Sequence, residues 1–352
     1  MILICSFIIC MSLVFFIKPY LSERNQKAYI IVTFLILLIV HAFVDINSVS
    51  DLYGYRDGFL EFSQMSFSDI LTYDGYYARF EIGFRYFNKI VSILIGDFRF
   101  LLIIYAFIFL KSYYFTIKKC SPYVWVSIIM LLLGPFDQSI YVIRQHFAIA
   151  LLFASIPLFI EKQYYKTILL VLVAFSLHTT AFVFTPVYFL YFIKDRKKLV
   201  GSFIIFAVCL SVAYNVYFTL TGDILENYET YINSDESGQN NNEMIMALAF
   251  LVSYVAVLKN RVFEEGVNKV VFIIATIGFL LALVGTGFFG TGRLVMYYSV
   301  IPIILVPITM HYIRSWSLRF FFCAGVIILK FYVTYLGGAT REMVDSFNLC
   351  FL

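Results

Sequence analysis

The strongest constraint on what this chain can fold into is where its charges fall. Asp, Glu, Lys and Arg make up 14% of its 352 residues, and 62% are hydrophobic. The charged positions gather between apolar runs, several of them near the length of about 20 residues that a helix needs to cross a bilayer. These runs lie near 1–17, 28–44, 99–117, 122–136, 140–160, 164–177, 179–193, 199–218, 244–258, 270–284, 294–313 and 320–336. Alternate loops, near 18–27, 118–122, 161–166, 194–198, 259–269 and 311–319, hold sixteen of the 26 Lys and Arg but only five of the 22 acidic residues. Basic residues are retained on the cytoplasmic side, which puts these loops inside and both termini outside. The expected fold is an all-α polytopic membrane protein with about 12 transmembrane helices in one integral-membrane domain, 1–352. A large outer loop, 45–98, belongs to that domain.

Composition removes several classes. A mean hydropathy of +0.88 excludes an ordinary soluble domain. The net charge of +4 is scattered along membrane edges, so the bilayer is an expected partner and nucleic acid is not. Six cysteines show no C-x-x-C spacing and four histidines no H-E-x-x-H, so neither a disulfide framework, a metal nor another cofactor is expected. The first apolar run lacks a basic leader and a small-residue cleavage site, and reads as a retained span. The 27 Tyr and 40 Phe would suit sugar stacking, although an AT-rich genome accounts for most of such an excess.

Two hairpins are too short for two full crossings. One is broken at Gly134-Pro135-Phe136-Asp137, and between Lys166 and Lys194 lie 27 residues where two crossings need about 40. The latter is best read as two half-helices meeting at His178, because a single helix would carry the basic run Lys194–Lys198 outside. Irregular backbone at that depth must line protein or a wet cavity. The turns at Asp137 and His178 are therefore expected to line an outward recess. In the outer loop, Asp51, Tyr55 and Phe59 recur at helical spacing. From Gly83 to Ile95, Arg85, Asn88, Lys89 and Ser92 oppose Phe84, Phe87, Ile90, Val91, Leu94 and Ile95. That segment suits a helix lying in the outer headgroup layer, with Glu81 capping its start.

Few residues outside the basic loops carry chemistry. Arg144 opens a long apolar run, and an arginine at bilayer centre costs at least ~2.5 kcal/mol without a partner. Its guanidinium could grip a diphosphate bidentately, pair with Asp137, or snorkel to the interface. His178 is read as the only histidine on the outward side, either a proton-handling imidazole or a capping residue. Arg293 follows the glycine-rich stretch Gly285–Gly292, where exposed N–H groups favour anions, or else it ends a plain turn. Glu81 and Asp74 are the carboxylates placed for general-base work, with an i,i+4 pair to Arg85 as the alternative for Glu81. The acidic stretch from Asp223 to Glu243 is assigned no role.

The ordered set Asp51-x3-Tyr55-x3-Phe59, Phe80-Glu81-x-Gly83-Phe84, Arg144-Gln145-x2-Ala148, His178-x-Thr180-Ala181 and Arg293-x3-Tyr297 resembles the EpsG-like branch of Wzy-type polysaccharide (O-antigen) polymerases. The resemblance spans roughly 45–300, with Ile82 standing where proline is expected. It implies joining of undecaprenyl-diphosphate-linked oligosaccharide repeat units at the outer face of the bacterial inner membrane. A chain-length regulator and a flippase would be companions. Catalytic candidates are then Arg144, His178, Arg293 and Glu81. Substrate-binding candidates are Gln145, Tyr297, Asp51, Tyr55, Arg85 and Thr180. A lipid-linked oligosaccharide flippase is the alternative reading, and a membrane acyltransferase with His178 as its intramembrane histidine is a third. The concentration of polar residues on one side favours the polymerase over the flippase.

Overall fold

The computed structural model describes residues 2–225, 236–285, 291–336 and 348–349. Positions 226–235 of the acidic stretch and 286–290 of the glycine-rich stretch lie outside the described residues. Among the described residues the structure is helical, apart from an isolated bridge between Val44 and Leu349. Six helices are long and apolar enough to cross a membrane, or up to eight if two bent pairs each count as one crossing. Ile2–Ile17, Tyr164–Leu177 and Thr179–Tyr191 are apolar but shorter. The chain divides into two compact units, Met1–Phe182 with Ser315–Leu352, and Val183–Arg314.

The first unit opens with α1 (Ile2–Ile17) and α2 (Glu23–Ala42), followed in the long loop 45–98 by α3 (Ser50–Gln64), α4 (Phe67–Thr72) and α5 (Ile82–Leu94). Then come α6 (Phe98–Cys120), α7 (Val124–Leu132), α8 (Pro135–Tyr141), α9 (Ile143–Ile160) and α10 (Tyr164–Leu177). Of the candidate crossings α9 is the most enclosed. Polar side chains tie it and its neighbours together: Thr116 Oγ1 donates to Phe153 O at 2.9 Å, Tyr114 to Thr33 Oγ1 at 2.8 Å, and Tyr105 to Ser139 O at 2.8 Å. Between packed apolar helices such bonds supply direction that dispersion alone does not.

Both short hairpins take the broken form. The α7–α8 pair bends by 41° at the expected Gly134-Pro135 site, since Pro135 has no N–H to offer Leu131. The break frees carbonyls that hydrocarbon cannot solvate. Tyr335 donates to Leu132 O and Thr334 to Leu133 O, each at 3.0 Å, from a π-helical turn, Tyr332–Leu336, that ends the C-terminal helix Trp316–Phe331. After α10 the chain turns at His178 into a 3-10 segment, Thr179–Phe184, as the half-helix reading expects.

Loops expected on one side of the membrane come together within each unit. In the first, Lys119 pairs with Glu161 at 2.7 Å and Arg319 donates to Tyr123 Oη at 3.0 Å. At the opposite end Arg99 donates to Ala42 O and Val44 O, and Asp45 N–H to Asn348 O at 2.8 Å. The second unit comprises α11 (Pro186–Tyr191), α12 (Arg196–Leu225), α13 (Glu236–Leu258), α14 (Val267–Gly285), α15 (Thr291–Ser299) and α16 (Pro302–Tyr312). There Arg196 donates to Asn260 at 3.0 Å and Arg261 lies over the Tyr312 ring. The stretch 294–313, read as one span, is instead a pair bent by 43° ahead of Pro302, again a proline without a donor.

The expected amphipathic helix exists, but its faces are used otherwise than expected. Asn88 is fully buried on Phe84 O, and Lys89 Nζ donates to Ser63 O at 2.8 Å. Arg85 fastens the loop beneath it, donating to Phe80 O at 2.5 Å, Ile70 O and Tyr73 O at 3.3 Å each, and Ala78 O. Phe84 and Val91 are buried too, whereas Ile90, Ile93, Leu94 and Ile95 are exposed. The polar groups are spent on backbone carbonyls, and an aliphatic edge faces outward.

Candidate active site

The site is assembled by the antiparallel pair α9 and α10. Because one helix runs away from Arg144 and the next returns to His178, both residues come to the same end of the hairpin. Against that end sits the start of α5. Gly83 permits the approach: a Cβ there would lie 2.3 Å from Ser176 Oγ and 2.6 Å from Ser176 O, so only glycine fits. The Ile82 found in place of proline starts the helix without disturbing this contact.

Glu81 is the residue before α5, in extended backbone at φ −64°, ψ 150°. Its side chain makes no cap bond to its own helix, contrary to the capping role expected. Instead Oε2 accepts from the Arg144 guanidinium, and Oε1 lies 2.6 Å from His178 Nδ1 and accepts from Thr179 N–H at 3.3 Å. Arg144 also donates to Arg79 O at 3.0 Å, and its guanidinium carbon stands 4.5 Å from the centre of the Phe80 ring. The three side chains are largely enclosed, at 17% exposure for Arg144 and 13% each for Glu81 and His178.

The electrostatics follow from this geometry. Burial would raise the Glu81 pKa, but the His178 hydrogen bond and the Arg144 charge outweigh it and hold the carboxyl at about 2. Glu81 is thus an anion throughout the physiological range. A cation in the first turn of a helix opposes the macrodipole, and Glu81 offsets that cost. Neither Asp137, only 5% exposed, nor Arg85 provides the pairing that the sequence suggested as alternatives. Tyr55 completes the cluster. Its ring stacks on Phe80 at 5.5 Å, and burial raises its hydroxyl pKa against the opposing pull of Arg144.

The remaining candidates are placed as follows. Asp51 is exposed on α3, one turn before Tyr55, and Thr180 is half-buried just past His178. Gln145 is fully buried inside the helix bundle, and Arg85 is bonded to carbonyls of the 70–80 segment. In the second unit, Arg293 is exposed in the first turn of α15 and Tyr297 is 1% exposed. His178 is not the lone histidine near that end of the first unit. His41, at the end of α2, bonds Ser139 at 2.8 Å, and His146 lies near the start of α9, both buried. The sequence reading passed over the backbone donors and acceptors, Thr179 N–H and Arg79 O, which no side-chain pattern announces. The Phe80 ring, by contrast, was already inside a quoted motif.

A histidine whose Nδ1 is held by a carboxylate presents Nε2 as its remaining proton-handling atom. A guanidinium at a helix start is suited to receive a phosphate or diphosphate. A family model described as the EpsG family matches residues 27–347, a range that contains every member of the cluster. Comparison with curated proteins and with solved structures gives no match.

Proposed function

Since the chain belongs to the EpsG family, we infer that it is a membrane-embedded polysaccharide polymerase, with Arg144, Glu81 and His178 as its chemical centre. Its substrates are oligosaccharide repeat units on undecaprenyl diphosphate, met at the outer face of the bacterial inner membrane. The reading keeps the twelve-crossing topology with both termini outside. An acceptor hydroxyl attacks the anomeric carbon of the donor glycan. The bond from that carbon to the diphosphate breaks, and the electron pair leaves with the lipid diphosphate.

The observation that carries this reading is a single carboxylate bridging an arginine and a histidine. Arg144 exchanges Glu81 for the incoming diphosphate and stabilises its developing charge, a role in which fixed donors are worth the most. His178 takes the acceptor proton at Nε2. Glu81, with a pKa of about 2, is too weak a base for that task at neutral pH. It serves instead as the positioning residue that fixes the imidazole tautomer.

The test is complementation of a deletion strain, reading the surface polysaccharide ladder on a gel. Wild type restores long polymer, and Arg144→Ala and His178→Ala leave single repeat units. Ladders from both variants would overturn the assignment. Absence of repeat units from the outer leaflet in the deletion strain would indicate a flippase.

A further inference from the structure

Directly before Glu81 the chain makes a 3-10 turn, Tyr76–Arg79, outside every candidate crossing. This turn is fixed to the cluster just described, because Arg144 donates to Arg79 O at 3.0 Å. Its two tyrosines are treated very differently. Tyr77 is 9% exposed and packs on Phe80 and Phe62, against α3 at Gly58, where a Cβ would come within 2.8 Å of Phe80. Tyr76 is 72% exposed, the most open tyrosine of the outer loop. It is nonetheless held in place, with the Arg79 guanidinium over its ring at 4.8 Å and the Tyr77 ring edge-on at 5.0 Å. Exposed carboxylates, Asp57 and Asp74, lie on the same loop.

An exposed aromatic ring with a guanidinium over one face, on a loop that also carries exposed carboxylates, suits a sugar. The ring meets the C–H face of a pyranose, while the charged groups bond its hydroxyls. We propose that Tyr76, steadied by Arg79, is the stacking platform of a glycan subsite that seats the acceptor oligosaccharide next to His178. This rests on the polymerase reading and adds to it a place for the sugar itself. The protein's many aromatics are mostly packing, and this one is distinguished by its exposure and its attachment to the cluster.

The probe is the water-soluble repeat-unit oligosaccharide, released by mild acid from the strain's lipid-linked precursor. Saturation-transfer NMR is recorded with the full-length protein in nanodiscs. Wild type is expected to transfer saturation to sugar ring protons. Tyr76→Ala weakens binding about tenfold, equivalent to ~1.4 kcal/mol, and Tyr76→Trp retains it. In cells Tyr76→Ala gives shorter, sparser ladders. If Tyr76→Ala binds the oligosaccharide as wild type does, or wild type does not bind it at all, the subsite is overturned. The polymerase reading then still stands or falls on the Arg144→Ala and His178→Ala ladders. If Tyr76 merely anchors the loop in headgroups, Tyr76→Ala leaves sugar binding unchanged, which likewise overturns the proposal.

Discussion

His178 Nδ1 lies 2.6 Å from Glu81 Oε1, joining the end of α10 to the entry of α5. Through the other oxygen of the same carboxylate the contact extends to Arg144. Each of the three positions is therefore held by an element that the other two do not belong to, and the chemistry depends on all three elements meeting.

Arg144 should not tolerate lysine. A lysine keeps the charge but loses the planar fork and the contact over Phe80. Arg144→Ala is expected to reduce polymer formation by about a hundredfold or more, as for loss of a transition-state donor. Arg144→Lys should recover only a minor part of it. Ladder intensity and single-turnover rates with purified lipid-linked units measure both.

Glu81→Gln separates positioning from proton transfer. The amide oxygen still accepts from Nδ1, so the variant should fold and keep a slow reaction, whereas His178→Ala should lose it. Removing one member of an enclosed ion pair is expected to cost about 3–5 kcal/mol, and unfolding in detergent measures that loss.

Acid stability carries the signature of Glu81. Its pKa is depressed from 4.5 to about 2 in the folded protein. The resulting stabilisation is complete above the ordinary value and is lost as pH falls from 4.5 toward 2. Thermal stability should therefore fall as pH drops across that window in wild type. In Glu81→Gln this component should be absent.

Gly83→Ala should disable the site from a distance. The added methyl meets a backbone oxygen, Ser176 O, as well as the hydroxyl. Trimming the hydroxyl with Ser176→Ala is therefore not expected to rescue it. Overpacking of this kind typically costs about 1–3 kcal/mol, and polymer should fall with it. A double variant with wild-type ladders would show that the close approach is dispensable.

Arg85 gives the opposite expectation. It fastens carbonyls at 70, 73, 78 and 80, so Arg85→Met should raise hydrogen exchange throughout 70–80. A substrate-binding role alone would leave exchange unchanged in the absence of substrate.

The sequence and the structure agree where long-range charge and helix breaks decide the outcome. Lys119 meets Glu161 and Arg196 meets Asn260, contacts between loops of the basic set, and Gly134-Pro135 and His178 are breaks in both. They part where one helix has two possible solvents. Periodicity located α5 within a residue at each end, but could not tell that Arg85 and Lys89 face carbonyls while Ile90 and Leu94 face outward. The cluster was legible as a set of residues, since Glu81, Arg144, His178 and Tyr55 were all singled out. Their connection was not, because Glu81 reaches partners far along the chain, and a nearer one, Arg85, looked sufficient.

The break between α7 and α8 also depends on residues distant in sequence. The donors that quench Leu132 O and Leu133 O come from Thr334 and Tyr335, near the end of the chain. A chain lacking these two side chains would leave both carbonyls of the break without the donors that answer them here.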